Sequence, residues 1–142
     1  MYCVREVTDR LYWVGANDHR LTLFENIHPI PKGVSYNSYL LLDEKTVLFD
    51  TIDWSCCRQL VENVEHLLGD RALDYLVINH MEPDHAASIR ALLDKYPGVQ
   101  LVASAKALQM MPLYFADLDL SGAITVKEGD TLCTGRHTFT FV

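Results

Sequence analysis

His80-Met81-Glu82-Pro83-Asp84-His85 places two imidazoles and two carboxylates within six residues. Mixed nitrogen and oxygen donors of this kind suit zinc, iron or manganese rather than calcium or a thiolate site. On an extended backbone, side chains at i, i+2 and i+4 share a face, so the pattern predicts that His80, Glu82 and Asp84 project together. Pro83 biases Glu82 toward extended geometry and suits the first turn of a following helix. His85 can then swing beside Asp84, while Met81 points the other way and packs. Ala86, Ala87 and Ser88 are small and leave room. Four donors this close in sequence cannot all reach one ion at proper angles, so the pattern points to two metals.

The elements that must carry these donors are legible on either side. Tyr75-Leu76-Val77-Ile78 ends a strand predicted over 73–78. Ile89, Leu92, Leu93 and Tyr96 form a helical stripe closed by Pro97-Gly98, and Val99–Ala103 reads as the next strand. Together they predict a β-α-β unit with parallel strands. Upstream, Leu60, Val61, Val64, Leu67 and Leu68 repeat at helical spacing before Gly69. Cys3–Val7, Leu11–Val14, Tyr36–Leu42 and Lys45–Thr51 read as strands, the last two as a hairpin around Asp43-Glu44. Residues 15–35 read as a long irregular loop. Ser104 is placed to cap a short helix that Pro112 disturbs. Ala123–Lys127, Thr131–Cys133 and His137–Val142 return to strands.

The 142 residues suit one domain, and 49% apolar with 22% charged residues is an ordinary globular balance. Net charge is −7, from 12 Lys and Arg against 19 Asp and Glu. That balance argues against nucleic acid and anionic membrane surfaces as partners. No run is long enough to span a membrane and no secretory leader is recognisable. The four cysteines lack zinc or thioredoxin spacing and read as reduced thiols, which suits a cytoplasmic protein.

The motif resembles the His-x-His-x-Asp-His signature of the metallo-β-lactamase fold, with Glu82 at the second histidine. In that form it closely resembles flavodiiron proteins (A-type flavoproteins). The resemblance extends to Leu11-Tyr12-Trp13-Val14-Gly15, Phe24-Glu25-Asn26, Pro31 through Leu40, and Lys45 through Thr51. It implies an α/β fold: the N-terminal half of a four-layer αββα sandwich, with a mixed sheet and flanking helices. It implies a diiron site in which His80 and Glu82 serve one iron, and Asp84 with His85 the other. It implies reduction of O2 to water or of NO to nitrous oxide, with FMN in a following flavodoxin-like domain, rubredoxin or a similar electron donor, and a homo-oligomer. Zinc does not cycle electrons. A carboxylate at position 82 adds a hard, charged oxygen donor that favours iron. A zinc hydrolase of the same fold and a non-catalytic diiron sensor or remnant are the competing readings.

The family's remaining ligands, and its flavin domain, come from sequence beyond Val142. Residues 1–142 therefore read as a diiron domain cut short. His137 is a poor candidate for a further ligand, because it reads as a turn residue before a strand. Asp50 either orients a metal-binding histidine or caps a strand end. By resemblance, Glu25 and His28 lie in a loop near the pocket. His19 and His66 read as surface residues.

Overall fold

A computed structural model describes residues 2–142. The strands are β1 (Arg5–Thr8), β2 (Leu11–Trp13), β3 (Ala16–Asp18), β4 (Leu23–Phe24), β5 (His28–Pro29), β6 (Val34–Tyr36), β7 (Tyr39–Leu42), β8 (Thr46–Phe49), β9 (Tyr75–Ile78), β10 (Gln100–Ser104), β11 (Ile124–Val126), β12 (Thr131–Cys133) and β13 (Thr138–Thr140). The helices are α1 (Cys57–Leu68), α2 (Pro83–Ala86), α3 (Ile89–Lys95) and α4 (Ala105–Tyr114). Seven strands form one mixed sheet in the order β1-β2-β7-β8-β9-β10-β11. The β1, β2, β7 and β8 pairings are antiparallel, and those of β8 through β11 are parallel.

Alternation along the strands assigns the two faces of this sheet. Leu40, Leu48, Leu76 and Leu101 share one apolar cluster with Leu60 and Val64 of α1, Ile89 and Leu92 of α3, and Met111 of α4. Their neighbours Leu41, Val47, Val77 and Val102 form a second cluster, against which Leu132, Phe139 and Phe141 pack. The helices thus cover one face, and the β12–β13 hairpin lies on the other as the start of a second sheet layer. Phe139 meets Phe49 edge-on with ring centroids 5.0 Å apart.

The hairpin is fastened by Asp43, whose side chain is fully buried. Its carboxylate accepts from the Thr134 hydroxyl at 2.9 Å, the backbone N–H groups of Glu44, Arg136 and His137 at 2.9, 3.2 and 2.9 Å, and pairs with His137 Nδ1 at 2.9 Å. Burial alone would raise this carboxyl's pKa. The hydrogen bonds from His137, Thr134 and the backbone amides outweigh that and hold it well below the usual carboxylate range.

Two expectations need correction. Residues 15–35 are not irregular. β3 pairs with β6 and β4 with β5, the latter around a tight turn with Glu25 and Asn26 at φ of 52° and 57°. Strands of two or three residues carry no periodicity to read. Gly15 and Gly33 permit the close approaches there. A Cβ on Gly15 would lie 2.0 Å from the Tyr36 carbonyl oxygen, and one on Gly33, at φ 79°, 2.4 Å from that of Asp18. Second, the last strand, expected over 137–142, is confined to Thr138–Thr140. Pro112 lies inside α4, which ends two residues later at Tyr114. Ser104 caps α4 as expected, accepting from the Ala107 N–H at 3.2 Å. Among the described residues, no helix is long and apolar enough to cross a membrane.

Candidate metal centre

The parallel strands β8, β9 and β10 end side by side, where open α/β sheets gather ligands. The donor segment leaves the end of β9. Glu82 is extended (φ −69°, ψ 152°), and Pro83 opens α2. His85 and Ala86 N–H groups then close back on the Glu82 carbonyl at 2.9 Å each. One ligand atom each from His80, Glu82 and Asp84 lies within 4.8 Å of the others. The expected convergence is present, but by a different route. Asp84 reaches the group from the first turn of α2, because Pro83 sets helical rather than extended geometry beyond Glu82. Met81 is buried, as expected.

His80 Nε2 and Glu82 Oε2 are 3.2 Å apart. Two donors on one first-row ion, each bonded at about 2.0–2.2 Å, stand at about that separation. His85 stands next to this group. Its ring lies edge-on to that of His80 at 5.5 Å between centroids, and its Nε2 is 3.6 Å from Asp84 Oδ2. His85 Nδ1 is buried and has no hydrogen-bond partner in the protein. Buried polar atoms are nearly always satisfied, so an imidazole with a buried, unpartnered nitrogen, its other nitrogen facing Asp84, is compatible with a bound ion. The donor set and its spacing fit a metal, and His80 and Glu82 keep an open side, with side chains 47% and 58% exposed.

The segment is held by two consecutive residues at the end of β8. Asp50, at φ 55°, accepts from the Asn79 and His80 N–H groups at 2.7 and 3.2 Å and from the Asn79 amide at 3.2 Å. Its own N–H donates to the Val77 carbonyl at 2.8 Å, and its carbonyl accepts from Ser38 Oγ at 2.9 Å. Thr51 grips the far end. Its N–H and hydroxyl both donate to the His85 carbonyl, at 2.8 and 2.7 Å. Asp50 therefore fixes the donor loop through its main chain and makes no bond to an imidazole. Sequence reasoning missed Thr51, whose only signal was its place beside Asp50.

Tyr36 lies beneath the same region, almost wholly buried. Burial pushes its phenol up to about 12, and the charges of Asp53, Asp18 and Asp84 add to the shift. The phenol is therefore neutral at physiological pH. Glu25 and His28 are exposed on the β4–β5 turn and hairpin, and neither joins the donor group. His137 is engaged by Asp43 and does not join it either. His66 stacks on Tyr2 at 3.9 Å, and His19 bonds the Lys32 carbonyl at 3.1 Å. All four cysteines are free thiols.

With this geometry in hand, comparison with known proteins is specific. Residues 34–142 match the family described as ODP family beta lactamase. The nitric oxide reductase of Moorella thermoacetica is 31% identical over 137 residues, which cover 96% of this chain and 34% of that protein. The structure of rubredoxin oxygen:oxidoreductase from Desulfovibrio gigas superposes with a TM-score of 0.90 at 33% identity, over 97% of this chain and 34% of that one. The flavodiiron protein of Giardia intestinalis gives a TM-score of 0.86 at 26% identity, over 97% of this chain and 33% of that one. The chain spans about a third of the length of the curated relative and the solved structures it matches. The mixed sheet, the helices on one face and the start of a second layer are those of the expected fold. The chain belongs to the ODP family of β-lactamase-like domains, and the solved structures it resembles over nearly its whole length are those of flavodiiron and rubredoxin-oxygen oxidoreductase proteins.

Proposed function

We propose that this chain is the metal-binding portion of a flavodiiron oxidoreductase that reduces O2, NO or both. The observation that carries the reading is the convergence of His80, Glu82 and Asp84 within 4.8 Å, beside a His85 whose Nδ1 has no partner. His80 and Glu82 would hold one iron, and Asp84 with His85 the other. Further ligands and an FMN domain would come from sequence outside residues 1–142. The irons, when bound, supply the electrons that reduce the substrate, and the flavin, recharged by rubredoxin or a similar donor, would replace them. The chain's own part is to hold the donors and leave one side open for a small molecule. Asp50 and Thr51 hold the donor loop by its main chain, and Glu82 supplies the hard charged oxygen that favours iron over zinc. A homo-oligomer working in the cytoplasm completes the reading, and unbridged thiols accord with a reducing compartment.

Metal analysis tests this. Protein extended to the length of its relatives and prepared anaerobically is expected to carry close to two irons per chain, and Glu82→His to shift it toward zinc while reductase activity falls. Stoichiometric zinc in the unaltered protein would favour a hydrolase instead.

A further inference from the structure

We infer that Lys106 makes the metal cleft a binding site for small inorganic anions, with the ammonium contacting an anion held at the metal. The inference rests on the metal-centre reading above. Ser104 follows Ala103, which pairs with Ile78, so α4 begins beside the point where the donor segment leaves β9. Lys106 stands in the first turn of α4. It lines, with His80, Glu82 and Ser104, an open cleft of about 280 Å³. Such a space admits a small anion with room to spare.

The placement of Lys106 has no internal explanation. A cation in the first turn of a helix opposes the helix dipole. Among the described residues Lys106 makes no ion pair that would tie its ammonium elsewhere, as Lys45 and Lys95 are tied. Its side chain is exposed, so packing does not demand it. Ser104 is already engaged in capping Ala107 and does not supply the missing partner. The other charged side chain lining the cleft, Glu82, and the neighbouring Asp84 both repel anions. Lys106 is the one cation in the lining that attracts them. It therefore sets which ligands enter: an anion gains from it and a neutral molecule does not.

The test takes protein extended to the length of its relatives, loads it with Co(II), whose visible bands report changes in coordination, and titrates azide against the unaltered protein, Lys106→Met and Lys106→Arg. Imidazole serves as the neutral ligand. Lys106→Met is expected to weaken azide binding about two- to fivefold, the worth of one partly screened ion pair. Lys106→Arg should stay near the unaltered protein, and imidazole should bind all three alike. Cobalt uptake with equal azide affinity in the Met variant overturns the role of Lys106 alone, as does a parallel loss of imidazole binding. Failure of the unaltered extended protein to take up cobalt overturns the metal-centre reading together with this one.

Discussion

Asp50 adopts a left-handed backbone that non-glycine residues seldom adopt, and the strain coincides with the residue that holds the donor loop. Asparagine tolerates the same backbone and keeps one acceptor oxygen, but loses the charge that strengthens bonds from Asn79 and His80. Asp50→Asn is therefore expected to fold normally and to bind metal about 10- to 100-fold more weakly, the range seen when groups supporting metal ligands are altered. Cobalt titration alongside thermal unfolding checks it. A full-strength site in that variant would show that the loop is held without the charge. At this scale the sequence was partly legible. The convergence of the candidate donors His80, Glu82 and Asp84 could be read from type and spacing. The role of Asp50 could not be assigned, because a sequence separation of 29 from Asn79 hides a contact that depends on neighbouring parallel strands.

The elements differ in how far they could be read. α1 and the β9–α3–β10 unit were evident because their apolar residues repeat at helix or strand spacing within a short window. The docking of β12–β13 was not, since its anchor joins Asp43 to Thr134 and His137 across 91 and 94 residues. That anchor makes the hairpin acid-sensitive. The Asp43 carboxyl is held below its ordinary range when folded, so below about pH 3.9 the unfolded chain binds the proton that the folded chain refuses. Its contribution is complete above that pH and is lost as pH falls toward the folded value. Amide hydrogen exchange is expected to show β12 and β13 losing protection below about pH 3.9 before β8 and β9 do. Asp43→Asn should make protection of the hairpin weaker at neutral pH and flatter with pH. Simultaneous loss across all four strands would mean that the hairpin is not a separately opening unit.

Across the whole molecule, the inner face of the large sheet is covered only in its middle. Leu132, Phe139 and Phe141 are half-buried there, while Val7 toward one edge is 53% exposed and Val142 beyond the hairpin is entirely so. Leu113 and Tyr114 add exposed apolar surface at the end of α4. β1, on the sheet edge, is exposed throughout and leaves one side of its backbone unpaired. Covering apolar surface recovers roughly 25 cal/mol per Å², and an open strand edge offers a template for pairing. Residues 1–142 in isolation are therefore expected to self-associate with rising concentration, as measured by light scattering. A monodisperse monomer at high concentration would show that these surfaces are adequately masked. The same global frame gives the Asp50 and Thr51 grip a further meaning. Apart from the Asn79 amide, every bond in it ends on a main-chain atom of the donor segment. Anchorage is thereby uncoupled from donor identity, so a change of side chain at positions 80, 82, 84 or 85 leaves these main-chain bonds in place. Seen as an evolutionary substrate, the loop is a cassette whose side chains can change one at a time while its mooring to β8 stays.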